Sequence, residues 1–179
     1  LATQDSLATL RSAVSQAERD GVRIALDVNW RPTFWDRSAD PLAGPTPEAL
    51  VLMQPLLEKA QLIKLAREEA QWLFSSSDPA AISASLLQRP DVLVTDGGQP
   101  VRWFLAGHCG SMPVLAPPQI VDTTGAGDAF TAGLLHQLVK LTPLTGQSFQ
   151  LSAKVVEQVV RFAAACGALV YAGAGAIDP

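Results

Sequence analysis

Apolar and polar residues alternate along this chain with two different periods. Between residues 5 and 19, Leu7, Leu10, Val14 and Ala17 recur at near-helical spacing, and Asp20-Gly21 stops the pattern. "VRIALDVN", Val22 to Asn29, is instead rich in β-branched residues, as a buried strand is. Thr46-Pro47-Glu48 opens a helix with proline at its first position, predicted to run to about Lys59. "QLIKLA" (Gln61 to Ala66) predicts a short strand, and "REEAQWLF" a helix with acids in its first turn. A helix from Asp78 to about Gln88 leads into the strand Val92 to Thr95. That strand is predicted to form a hairpin with Val101 to Ala106 across Asp96-Gly97-Gly98-Gln99-Pro100. "GHCGSMPVLAPPQ" is expected to be loop. Helices are predicted from about Asp128 to Lys140 and from about Ser152 to Tyr171, the latter ending in the glycine-rich "AGAGAIDP". Strands alternating with helices predict one α/β domain, residues 1–179, with a mostly parallel sheet.

Composition changes this picture little. Hydrophobic residues make up 48% of the 179, so a buried core is expected rather than disorder. No apolar run approaches the roughly 18 residues that a membrane span needs, so no membrane partner is expected. The formal net charge of −4 argues against a nucleic-acid surface. It leaves room for an anionic ligand, which backbone N–H groups bind locally. Cys109 and Cys166 form no C-x-x-C pair, and His108 and His136 lack metal-ligand spacing, so a zinc site is not expected. With no visible targeting segment, the cytoplasm is the default location. The chain begins at Leu1, within a segment that reads as mid-domain helix, and is expected to be a fragment or a processed product.

The chemistry concentrates in "VDTTGAGDAF", Val121 to Phe130. A Walker A loop needs Lys and Ser/Thr after its last glycine, where Asp128-Ala129 stand, and a dinucleotide fingerprint needs glycine at Phe130. A strand end, a turn of minimal side chains and a helix start remain. Gly125, Ala126 and Gly127 carry no bulk, so an oxyanion can approach the unpaired amides of a helix N-terminus. Asp128 at that end is a candidate base for a hydroxyl nucleophile. Two readings stand on residue types alone: an N-cap beside a tight turn, or an anion cradle suited to phosphoryl transfer. "ALDVNWRPTFW" places Asp27, Asn29 and Arg31 two apart at a strand end, facing one side if extended. An asparagine and a forked guanidinium suit sugar hydroxyls or phosphate, or else Arg31 and Asp27 pair to pin a loop. Trp30, Phe34 and Trp35 are read as packing residues.

"DTTGAGDAFTAGLL", Asp122 to Leu135, closely resembles the C-terminal signature of ribokinase-like sugar kinases, the phosphofructokinase-B type. That resemblance implies Asp128 as catalytic base and the Gly125, Ala126 and Gly127 amides as the anion hole. It also implies a monovalent-cation site, possible for K+, at Asp122 and the Thr124 carbonyl. "ALDVNWRPTFW" resembles the D-x-N-x-R stretch of the fructokinase branch, making Asp27, Asn29 and Arg31 substrate-binding. "KLAREEAQWL" resembles K-x-N-x-x-E, implying Lys64 and Glu69 at the nucleotide, with Glu69 acting indirectly on magnesium; Ala66 replaces the usual Asn. "VTDGG" resembles V-T-x-G-x-x-G, which places Thr95 and Gly97 beside nucleotide phosphates and ribose. "FAAACGALVYAGAGAI" resembles the segment framing the adenine pocket, here Ala168 and Gly175, with Ala164 where Asn is frequent.

The resemblance is collinear over essentially the whole chain but covers the C-terminal part of a family member. It implies a ribokinase-like three-layer α/β/α sandwich whose N-terminal sugar-binding part and β lid are absent. The implied function is ATP- and Mg2+-dependent phosphorylation of a sugar hydroxyl, fructokinase-like, with a homodimer compatible in a full-length form. The alternative is a truncated or catalytically silent protein of this fold acting as partner or regulator. An oxidoreductase is disfavoured by the failed dinucleotide fingerprint.

Overall fold

Runs such as Leu62-Ile63-Lys64-Leu65 and Val92-Leu93-Val94 must bury both faces, and the structure shows what covers each. In this computed structural model, residues 3–114, 122–141, 145 and 150–170 are described. A five-stranded sheet runs in sequence order: β1 (Ala25–Asp27), β2 (Leu62–Ala66), β3 (Asp91–Asp96), β4 (Gln99–Leu105) and β5 (His108–Met112). β1, β2 and β3 pair in parallel, and β4 is antiparallel to both β3 and β5. Four of the five strands therefore point the same way, and the sheet is mostly parallel as expected.

Period-two alternation divides the core. Ile63, Leu65, Val92 and Val94 pack with Leu57, Ala70, Ile82 and Leu86. Those partners lie on or beside α2 (Pro47–Leu57), α3 (Arg67–Phe74) and α4 (Pro79–Ser85). Leu62, Leu93, Val101, Trp103 and Leu105 pack with Phe130, Leu134, Val156, Val160 and Ala163. These belong to α5 (Ala126–Leu141) and α6 (Ala153–Val170), so helices cover both faces in three layers. α1 (Gln4–Asp20) is capped by the Thr3 side chain and ends at Gly21 with φ 65°, where the sequence pattern stopped.

Three expectations are corrected. β1 covers only Ala25–Asp27 rather than Val22 to Asn29, because Val22 makes an isolated bridge to Thr145 and Asn29 turns to φ 45°. "GHCGSM" holds a strand, β5, instead of loop. Ala106 and Gly107 both take positive φ, the backbone of a tight type I′ hairpin turn, without the usual Asn-Gly signal. α5 starts at Ala126, two residues before the expected start, so Asp128 stands inside the first turn rather than at an N-cap. Tyr171 and Gly175 lie outside the described residues.

Candidate active site

The parallel strands deliver their carboxyl ends to one rim of the sheet, where α/β folds gather ligand-binding residues. An open cavity of about 500 Å³ lies there. Its walls include Lys64 and Ala66 from β2, Thr95 and Gly97 from the end of β3, and Gly125 to Asp128 from the start of α5. Asn29 and Arg31 join from the loop after β1, Glu69 from α3, and Ala168 with Ala164 and Gly167 from α6. Residues spread over five sequence segments thus meet in one concavity.

The motif turn has the geometry its composition suggested. Gly125 takes φ 82°, a left-handed conformation costly for any residue with a Cβ. Ala126 N–H closes the turn on the Thr123 carbonyl at 3.3 Å, and Ala129 N–H bonds the Gly125 carbonyl at 2.8 Å. The Ala126 amide is therefore partly spent on the turn. The Gly127 and Asp128 amides precede the helical ladder and are the ones a helix N-terminus offers an anion. Gly127 needs its missing side chain for a different reason: a Cβ there would lie 3.1 Å from Lys64 Nζ. Asp128 is exposed at the cavity wall, as a base that must meet a bound hydroxyl needs to be.

Behind the cradle lies a partly buried polar group of three. Lys64 Nζ donates to both Asp27 oxygens at 3.2 Å, and Thr131 Oγ1 lies 2.7 Å from Asp27 Oδ2 and 3.0 Å from the Gly127 carbonyl. Asp27, expected among the substrate contacts, is engaged here by Lys64 and Thr131. β1 points it at α5, where Lys64 and Thr131 occupy its oxygens. The alternative pairing of Asp27 with Arg31 is absent; Arg31 donates to the Trp30 carbonyl at 2.9 Å. Thr131 has no assigned role in the sequence reading. The signal available there was its position four residues after Gly127, one helical turn on.

Glu69 is 5% exposed and bridges two segments: Trp30 N–H donates to Oε1 at 2.6 Å and Ala66 N–H to Oε2 at 2.7 Å. Burial raises its pKa, opposed by these two backbone bonds and the nearby Lys64 charge. It thereby fixes the loop that carries Asn29 and Arg31. Asn29 at φ 45° is a non-glycine residue in the left-handed region, which asparagine tolerates better than most. Trp30 packs as expected, its indole N–H on the Ala43 carbonyl and its ring 5.5 Å from Trp35, but Phe34 is 78% exposed.

Asp122 Oδ1 accepts from Thr124 N–H at 2.9 Å and from Thr124 Oγ1 at 2.8 Å. Among the described residues, no cluster of three His, Cys, Asp or Glu could hold a metal ion. Apolar cavity residues the sequence reading did not assign, Val101, Val114 and Phe130, give the α6 side a surface suited to a flat ring. Among the described residues, no helix is long and apolar enough to cross a membrane.

Residues 1–179 match the pfkB family carbohydrate kinase profile. The chain is 32% identical over 185 residues to a fructokinase of Salmonella thompson, covering 99% of this chain and 75% of that protein. It is 32% identical over 185 residues to a fructokinase of Salmonella typhimurium, covering 99% and 54%. Among solved structures, fructokinase with bound ATP from Xylella fastidiosa superposes with a TM-score of 0.77 at 28% identity, over 95% of this chain and 52% of that one. A double mutant of fructokinase from Vibrio cholerae O395, in its fructose, ADP and potassium ion bound form, gives 0.76 at 26%, over 98% and 53%. The chain therefore spans 54% to 75% of these two relatives and about half of these structures. Nothing in these likenesses supports a catalytically silent protein. The fold is ribokinase-like, and the chain belongs to the pfkB family of carbohydrate kinases.

Proposed function

We propose that the protein to which this chain belongs transfers the γ-phosphate of ATP to a sugar hydroxyl, with fructose as substrate, in the cytoplasm. One observation carries the reading. Asp128, the Gly125–Asp128 turn, Lys64, Glu69, Thr95 and Gly97 share one cavity with Asn29 and Arg31.

Asp128 takes the proton of the attacking hydroxyl, a step that general-base catalysis accelerates by roughly 10²–10⁴. The Gly127 and Asp128 amides and the Lys64 ammonium meet the charge on the transferring phosphoryl oxygens. Thr95 and Gly97 flank the phosphates, and Ala164, Gly167 and Ala168 form the wall for the base. Asn29 and Arg31 orient the sugar, held in place through Glu69. Magnesium bound with the nucleotide would supply neutralising charge to its phosphates, and Glu69 is the residue placed to help hold it. Glu69, both of whose oxygens already accept backbone N–H groups, fits a contact through water rather than direct ligation. The 179-residue chain alone binds ATP weakly and turns fructose over poorly, since positioning of the acceptor supplies about 7–11 kcal/mol of such a barrier.

The test is a fructose-dependent ADP-release assay on the full-length protein and its Asp128→Asn variant. The amide keeps the shape but cannot accept the proton. ATP affinity is expected within a few-fold of wild type, with most of kcat lost. Turnover near wild type would refute the base assignment.

A further inference from the structure

Lys64 has two claims on its one charge. In front, its Nζ stands at the floor of the Gly127 turn, 3.1 Å from where a Cβ would be, and the residue lines the cavity. Behind, it donates to both oxygens of Asp27 at 3.2 Å, and the side chains of the pair are only 10% and 17% exposed. Thr131 Oγ1, 2.7 Å from Asp27 Oδ2 and 3.0 Å from the Gly127 carbonyl, holds that carboxylate against the ammonium. Glu69, the other buried carboxylate near Lys64, spends its oxygens on backbone N–H groups, so Asp27 is the anion bonded to the ammonium.

We propose that Asp27 is a specificity-determining counter-ion of the phosphate cradle. It balances Lys64 while the cavity is empty and sets a charge threshold that a free oxyanion does not pass and a nucleotide does. A buried ammonium without a partner pays a desolvation penalty that the first available anion would relieve. Inorganic phosphate or sulfate would then jam the cradle. With Asp27 in place the incoming anion meets a neutral pair and feels the carboxylate's repulsion behind the lysine. Only a ligand anchored elsewhere, by a base against the α6 wall, offsets that. The inference rests on the reading above that phosphate lies over Gly127, and it reverses the usual effect of removing a hydrogen-bonded residue: affinity is expected to rise.

Calorimetry on the full-length protein at fixed ionic strength tests it, with ATP, inorganic phosphate and adenosine as ligands. Asp27→Asn is expected to bind ATP and phosphate about tenfold more tightly, with adenosine unchanged. Lys64→Met, which leaves Asp27 facing the cradle alone, is expected to lose about thirtyfold in ATP affinity. The double variant replaces the ion pair with neutral groups of similar size, a change that folds tolerate. It is expected to recover most of that loss, and it carries the test if Asp27→Asn does not fold. A purely structural Asp27 predicts equal losses for ATP and adenosine. That result, or a double variant as weak as Lys64→Met, would overturn the proposal. Wild-type protein binding adenosine as tightly as ATP would instead overturn the phosphate reading of the cavity itself.

Discussion

Replacing Gly127 separates the stability of α5 from the function of its first turn. A Cβ at Gly127 would lie 3.1 Å from Lys64 Nζ, so alanine forces the ammonium back by about 0.3 Å to reach ordinary contact. For a phosphate oxygen about 3 Å from that charge, at an effective dielectric of about 20, the retreat loses about 0.5 kcal/mol, or roughly twofold in affinity. Valine places methyl groups about 1.5 Å further out. An ammonium driven back by that distance loses about 1.8 kcal/mol, roughly twentyfold. Stability responds differently. Gly127 is a helical residue without positive φ, and alanine or valine is a better helix former than glycine by up to about 1 kcal/mol. Urea unfolding is therefore expected to show unchanged or slightly higher stability, while calorimetry shows ATP affinity falling in the order glycine, alanine, valine. Valine binding ATP as well as wild type, with the fold intact, would refute the placement of phosphate over Gly127 and Lys64.

Burial raises Asp91 to a pKa of about 6 from 3.8, against the opposing bond from Ala106 N–H and the Arg23 charge. The native state then holds the proton longer than the unfolded chain, so its contribution falls by up to about 3 kcal/mol as pH rises from 4 to 6 and is flat above. Asp91→Asn keeps an acceptor for Ala106 N–H without titrating; a wild-type-minus-variant stability difference that ignores pH across 4–7 would contradict this. Glu69→Gln puts an amide NH2 against the N–H of Trp30 or Ala66 and is expected to cost about 1–3 kcal/mol in urea unfolding, with a raised KM for sugar as the Asn29–Arg31 loop loosens. An unchanged KM would show that Glu69 does not position that loop. At Gly110 a Cβ would fall inside the Trp103 indole, so Gly110→Ala is expected to destabilise by about 1–3 kcal/mol through forced repacking of β4 and β5. Wild-type stability there would mean the indole has room to swing away.

What the sequence disclosed follows from how local each determinant is. Strands β2 and β3 carry their apolar character in the run itself, and α1, α2 and α4 carry their caps, so these elements were legible. The motif turn was legible because small residues and a carboxylate have few uses together. β5 was not, since its polar residues, His108 to Ser111, owe their pairing to β4 through a turn whose Ala106 gives no sequence signal. The partners of Asp27 were not legible for a related reason. Counting by twos from Asn29 put it on the ligand side, but alternation fails at the left-handed Asn29, and the residue that captures Asp27 lies on a helix 104 positions away. Side-chain partners at that distance leave no periodicity to read.

That long separation has a consequence for how the protein comes together. The Lys64–Asp27 bond closes a loop of 37 residues and the Thr131–Asp27 bond one of 104, a difference of about 0.9 kcal/mol in closure entropy. The sheet half can therefore pair before α5 arrives, whereas the floor of the cradle exists only once α5 has docked across β1. Contacts of such high sequence separation form late and slow a folding reaction. A partly folded chain has strands and helices but no phosphate site. On the proposed function, ATP would bind the finished fold and add its binding free energy to that state alone. Nucleotide affinity becomes a reporter of the last docking step rather than of secondary structure. During refolding, it is expected to appear after the far-ultraviolet signal is complete.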